Sequence, residues 1–267
     1  DPADFCVKQY KKGRYGLLHT AFCVLFHKNN RSIPKIEANA MYYVRHNNAI
    51  IRRNNMQFQY FMPVKIICGR DCVAQSASVF AAFGERAIIV TGKSSAANGS
   101  LADVQAALSA NGQAHIVYDK IPPNPTVASV REGGRLARSF GADFVVAVGG
   151  GSPMDAAKAV AMLARQDAGD IFSYTATADV LPMLHIPTTA GTGSEVTPYA
   201  ILTNDERETK TSISHPAYFP KVAFLDGKYM RGLPQSTAAY TAIDAMSHAM
   251  EGMLSVRAGA LTDALAT

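Results

Sequence analysis

The chain has 267 residues, enough for one large domain or two modest ones, and its 48% hydrophobic and 18% charged content is that of an ordinary globular protein. The net charge of +5 is unevenly placed: residues 1–55 carry ten Lys and Arg against three Asp and Glu, while the other 212 residues carry sixteen against eighteen. The near-neutral body argues against a nucleic-acid footprint, and no apolar run reaches the ~18–20 residues of a membrane span.

The N-terminal 55 residues begin without Met, show no clear periodicity and end just before Met56. The run Leu17 to Phe26 after Lys11, Lys12 and Arg14 faintly imitates a signal peptide, but His19 interrupts it. The segment is expected to lie outside the native domain. Cys6, Cys23, Cys68 and Cys72 have neither zinc-type nor redox-type spacing, so free thiols in a reducing compartment, the cytoplasm, are expected.

From Val64 onward, strands alternate with helices. Residues 64–68 and 86–90 read as strands, with a helix over 74–83 between them that ends at Gly84. Residues 101–110 suit a helix, 115–118 a strand and 127–140 a second helix. Phe144-Val-Val-Ala-Val148 is a buried strand that runs straight into Gly149. Residues 184–186 and 222–225 are further strands, and 201–203 with 210–213 form a hairpin turning at Asn204-Asp205. Uninterrupted β-branched runs alternating with helices predict an α/β fold with a mainly parallel sheet covered on both faces. After Pro234 the sequence becomes Ala- and Met-rich helix, which places a boundary near 230–236. The domains expected are 56–235 and the beginning of a helical domain at 236–267.

Three motifs carry chemistry. In the first, a strand ends at Gly149, Gly150 and Gly151, followed by Ser152 at a helix cap, Pro153 at the first position and Asp155 at the third. Glycines admit a ligand close to the backbone, and free amides at a helix N-terminus attract phosphate. The same pattern also serves as a plain tight turn. Its place at the carboxyl end of a parallel strand, where open α/β sheets bind ligands, favours the binding role. The second motif, Pro187-Thr188-Thr189-Ala190-Gly191-Thr192-Gly193-Ser194-Glu195, concentrates hydroxyls and glycines after a strand. By composition alone it is equally a ligand loop or a Ser/Thr-rich surface turn. The third is Asp244 and His248, one helical turn apart and able to share a metal. Taken alone, such a pair recurs by chance on helices. No Ser/His/Asp nucleophile pattern is present, and His185 and His215 receive no role.

These motifs, in this order and spacing over residues 56–267, resemble the iron-containing (group III) alcohol dehydrogenases. The resemblance implies a Rossmann-like nucleotide domain followed by the start of an all-helical one, a dehydroquinate synthase-like architecture that is incomplete here through C-terminal truncation. It implies that Gly149, Gly150, Gly151 and Ser152 hold the dinucleotide pyrophosphate, with Asp155 near the nicotinamide ribose. Thr188, Thr189 and Thr192 would line the cofactor cleft, and Lys210 would reach a ribose hydroxyl. Asp244 and His248 match the first two metal ligands; the family completes that site with two later histidines, and no His follows His248. Many members that prefer NAD carry Asp after the strand equivalent to residues 88–91. This chain has Gly92, Lys93 and Ser94, which predicts use of NADP, or of both NAD and NADP, Lys93 being otherwise a solvated loop residue.

The implied reaction is hydride transfer between a primary alcohol and its aldehyde, assisted by a divalent metal, Fe2+ before Zn2+. The partners expected are a small alcohol or aldehyde and further copies of the full-length chain, with no nucleic acid and no membrane. The alternatives are a related polyol dehydrogenase, a maleylacetate reductase, or a nucleotide-binding fragment without turnover.

Overall fold

The computed structural model describes residues 59–166, 169–172 and 179–267. The atypical segment expected at residues 1–55 lies outside them. The chain forms two compact units. One comprises Met62–Thr189 and Gly193–Leu233; the other comprises Ala190–Thr192 and Pro234–Thr267, with the described residues up to Phe61.

The first unit is built on a six-stranded sheet in which every pairing is parallel. Its strands are β1 (Lys65–Cys68), β2 (Arg86–Thr91), β3 (Ala114–Tyr118), β4 (Phe144–Gly149), β5 (Met183–Pro187) and β8 (Val222–Leu225), in the order β1-β8-β5-β4-β2-β3. The central strands β4 and β5 are buried at every position, as expected of strands covered on both faces. Alternation along them sorts side chains into two cores. Ile88, Val90, Val145, Ala147 and Met183 join Val130 and Ala137 of α4 (Val127–Phe140) and Met154 to Leu163 of α5 (Gly151–Arg165). Ala87, Ile89, Phe144, Val146, Leu184 and Ile186 face the other way, onto Val104 and Leu108 of α3 (Ser100–Ala110), Val73 of α1 (Cys72–Gln75) and Phe80 of α2 (Ser78–Ala81).

The single helix predicted over 74–83 is thus two separate turns, α1 and α2. Serine is a weaker helix former than the neighbouring Ala and Gln, and Ser76 and Ser78 fall at the break; beyond it, Phe80 is buried under the sheet, stacked 5.1 Å from Phe224. By contrast α4 is well defined by its ends. Thr126 and Ser129 form a reciprocal capping box, and Gly141 closes the helix at φ 70°. Within α4, Gly134 lets α5 come close: a Cβ there would stand 2.5 Å from the Leu163 Cβ.

A two-stranded antiparallel hairpin, β6 (Tyr199–Asn204) and β7 (Thr209–Ser214), lies apart from the sheet. Its turn forms where predicted: Asn204 Oδ1 accepts from the amides of Glu206 and Arg207 at 3.0 and 3.1 Å. In the second unit, α6 (Gln235–Leu254) packs against α7 (Ala260–Ala266). Ala245 and Met253 are buried, while Tyr240, Ile243, Met250 and Leu254 are exposed. No strand occurs in this unit among the described residues.

Candidate functional site

The carboxyl end of β4 makes a turn that only glycine fits. Gly149 sits at φ 143°, and a Cβ on it would stand 2.7 Å from Pro153 Cγ. Gly150 is the cap of α5 and supplies no side-chain hydrogen bond. A Cβ on Gly150 would lie 3.2 Å from Thr189 Oγ1, so this glycine lets the β5 loop close on the turn. The sequence reading of Ser152 as cap is corrected: the helix begins at Gly151, making Ser152 its second residue and Pro153 its third. The fixed φ of Pro153 suits any first-turn position and does not mark the first one. Ser152 Oγ accepts from the Asn124 amide at 3.3 Å instead of capping its own helix. The amides of Gly151 and Ser152 are left for a ligand, because the first intrahelical bond is from Met154 to Gly150.

The outgoing leg of the β5 loop is tied to this turn, the Thr188 amide donating to the Gly149 carbonyl at 2.9 Å. Thr188 is buried, and Thr189 Oγ1 is buried with no hydrogen-bond partner among the described residues. A shielded hydroxyl left unpaired beside two free amides fits a bound phosphate or ribose. Gly191 and Thr192 belong to the second unit, where a Cβ on Gly191 would stand 2.4 Å from the Thr241 carbonyl oxygen.

Asp155 is turned inward. Its Oδ1 accepts from Ser194 Oγ at 2.6 Å and its Oδ2 from the Ile201 amide at 3.1 Å. Beside it lies Lys158, entirely buried, whose Nζ donates to Ser194 Oγ at 2.8 Å and to the Tyr199 carbonyl at 2.6 Å, with Asp155 Oδ1 3.6 Å away. Burial pulls the Lys158 ammonium down to about 8, against the pull of Asp155 and Glu195. Burial also raises the carboxyl of Glu195, which Lys158 opposes. His185, fully buried on β5, is held well below the usual histidine range by burial and by Lys158. Neither of its ring nitrogens has a partner among the described residues. The sequence reading missed Lys158. The signal was there: one lysine inside Ala156-Ala157-Lys158-Ala159-Val160-Ala161-Met162, a stretch with no other polar residue.

At the end of β2, Thr91 Oγ1 and Ser95 Oγ both donate to the Val148 carbonyl, at 2.8 and 3.1 Å, stitching this loop to β4. Lys93 and Ser94 project from it, both exposed, and Lys93 forms no ion pair among the described residues. Gly92 is extended and leaves room, the nearest atom to a Cβ being the Ile121 oxygen at 3.6 Å. Lys210, exposed on β7, donates to Asn124 Oδ1 at 2.8 Å. Asn124, held at φ 59°, thus joins two residues singled out from the sequence, Lys210 and Ser152.

In the second unit, Asp244 Oδ1 and His248 Nε2 lie 4.0 Å apart on one face of α6, both about half exposed. Donors bound ~2.1 Å from a tetrahedral ion stand ~3.4 Å apart, so a small side-chain rotation would let the two share one. No group of three possible metal ligands occurs among the described residues. The pair therefore fits a metal as part of its ligand set, not as a closed site.

A doubly covered parallel sheet with a glycine-rich turn and open helix amides at its carboxyl edge defines an α/β fold of the nucleotide-binding type. The sequence model of iron-containing alcohol dehydrogenases matches residues 63–227. Lactaldehyde reductase of Escherichia coli K12 is 39% identical over 186 residues, 68% of this chain and 49% of that protein. An iron-containing alcohol dehydrogenase from Thermotoga maritima superposes with a TM-score of 0.74 at 39% identity, over 79% of this chain and 59% of the other. Sulfoacetaldehyde reductase from Bifidobacterium kashiwanohense, in complex with NAD+, superposes with a TM-score of 0.68 at 34% identity, over 74% and 54%. The chain belongs to the iron-containing alcohol dehydrogenase family, and it spans about half the length of the curated relatives it matches.

Proposed function

We propose that the protein interconverts a primary alcohol and its aldehyde, using a nicotinamide dinucleotide and a divalent metal. The observation that carries this reading is the turn at Gly149 and Gly150, where α5 begins with two unspent amides and Gly150 comes close to the unpaired Thr189 hydroxyl. Both relatives named for an aldehyde, lactaldehyde reductase and sulfoacetaldehyde reductase, support a small aldehyde or alcohol as substrate. A bound dinucleotide would supply the hydride acceptor, and a bound metal the Lewis acid that polarises the alcohol oxygen. The amides of Gly151 and Ser152 would donate to the pyrophosphate at the positive end of α5. Thr188 and Thr189 would donate hydroxyls beside it, and Lys210 a cation. Asp244 and His248 would hold the metal, with Fe2+ favoured over Zn2+ by the family alone.

Lys93 supports NADP over NAD. Lys93 and Ser94 are exposed just after Gly92, so a cation and a hydroxyl would be available to a 2′-phosphate, with no carboxylate at Gly92 to repel it. The proposal places the protein in the cytoplasm as a homo-oligomer when complete; the free thiols of Cys68 and Cys72 suit a reducing compartment. No helix among the described residues is long and apolar enough to cross a membrane.

Titrating the chain with NADH and NADPH, followed by cofactor fluorescence, tests the core of this reading, and an absence of saturable binding to either would overturn it. Gly92→Asp should weaken NADPH binding about tenfold or more by placing like charge beside the phosphate, while sparing NADH. A second reading, a nucleotide-binding chain without turnover, draws on the open Asp244/His248 pair. Metal analysis with alcohol turnover separates the two: stoichiometric metal and activity in this chain would reject the second.

A further inference from the structure

We propose that Lys158 is a positioning residue: its buried ammonium, acting through Ser194 and Asp155, fixes the return leg of the hydroxyl-rich loop against the phosphate-binding helix. The inference deepens the cofactor reading above and rests on it.

The geometry closes a triangle. Lys158 Nζ donates to Ser194 Oγ, and Ser194 Oγ donates to Asp155 Oδ1. Asp155 and Lys158 stand three residues apart on α5, on the face that meets the turn Ser194–Val196 and the start of β6. Asp155 Oδ2 and the second Lys158 bond reach the β6 backbone at Ile201 and Tyr199. The same helix that offers its first amides to a phosphate therefore grips the loop about one turn further along with Asp155 and about two with Lys158. The outgoing leg of that loop is held independently, by the Thr188-to-Gly149 bond. With both legs fixed, Thr188 and Thr189 present their hydroxyls in one geometry, and the ordering cost of binding falls.

A buried lysine is a costly way to fill a core, and an apolar side chain of the same length would pack there without desolvating a charge. The groups around the ammonium match this one task. Asp155 lies on its own helix, Glu195 on the 3-10 turn and His185 on β5, while Ser194 Oγ and the Tyr199 carbonyl accept its hydrogen bonds. His185, kept neutral by burial, adds no second positive charge. Ser194 is buried and its oxygen accepts from the Lys158 ammonium, so it is not presented as a nucleophile.

The test uses Lys158→Met, Ser194→Ala, the double variant, and Val160→Ala as a control buried on the same helix outside the network. Lys158→Met should weaken dinucleotide binding about tenfold, the scale of one lost charge-assisted hydrogen bond. Ser194→Ala should weaken it too, and the double variant no more than the worse single one. Val160→Ala should lower the melting temperature and leave the dissociation constant unchanged. Wild-type binding should weaken as pH is raised through about 8, and the Lys158→Met profile should be flat there. Without any cofactor, hydrogen exchange should quicken at residues 193–196 in both single variants while β4 stays protected. Unchanged affinity and unchanged exchange in folded Lys158→Met or Ser194→Ala overturn the proposal, as do additive effects or a pH profile shared with wild type. If the wild type binds neither NADH nor NADPH, the cofactor reading fails, and the exchange experiment still decides the positioning role.

Discussion

Replacing Gly149 with Ala puts a methyl group where the β4 turn has none to spare. At φ 143° the backbone strain costs about 1–3 kcal/mol, and the Cβ would meet Pro153 Cγ at 2.7 Å. Pro153 is locked in the first turn of α5 and cannot rotate away, so overpacking adds about 1–3 kcal/mol more. A loss of about 2–6 kcal/mol is a large share of a domain's stability. Gly112→Ala supplies the control: φ is +70° there, but nothing lies within 4 Å of the new atom, leaving about 1–2 kcal/mol of backbone strain alone. The chain has no Trp, so urea unfolding is best followed by far-UV circular dichroism. A Gly149→Ala variant no less stable than Gly112→Ala would refute the steric argument, and with it the claim that this turn is built for close approach.

Gly134→Ala should cost about 1–3 kcal/mol of overpacking, since its Cβ would press on the Leu163 Cβ at 2.5 Å; equal melting curves for the variant and the wild type would contradict the α4–α5 packing described. Lys158 titrates at about 8 when folded against 10.5 as a free side chain, so the folded state disfavours its charge. That penalty is fully present below about pH 8 and is relieved between there and 10.5, where the unfolded chain binds more protons. Wild type should therefore gain about 3 kcal/mol relative to Lys158→Met across that window, and parallel stability curves would count against it. His248→Ala should change stability by less than about 0.5 kcal/mol because the side chain is half exposed, yet lower retained iron or zinc in the complete protein; undiminished metal content would remove His248 from the ligand set.

The sheet was legible because parallel strands buried on both faces tend to be continuous apolar runs, as at Phe144-Val-Val-Ala-Val148, with His185 the one polar residue in β5. Helix ends were less so. Ser152 looked like a cap because Ser precedes Pro, but the chain already turns helical at Gly151, a choice made by the close approach of Gly150 to Thr189 and invisible to local pattern. Asp155 and Lys210 were singled out for places beside a ribose, but their protein partners, Ser194 and Asn124, lie 39 and 86 residues away in sequence. Such pairings depend on which loops the sheet order brings together. Lys158 was missed for a different reason: a lone lysine in an alanine-rich helix reads as the solvated face when periodicity is counted without asking where the wet side is.

The triangle of Asp155, Lys158 and Ser194 also makes a prediction about descent. Losing any one corner strands another: without Lys158, Asp155 loses the nearest positive charge, and without Ser194 both lose their shared hydroxyl. Substitutions at the three positions should then arise together across relatives, and a one-residue insertion in α5 after Pro153 should be absent wherever the trio is kept. It would rotate Asp155 and Lys158 about 100° around the helix, away from the loop they hold.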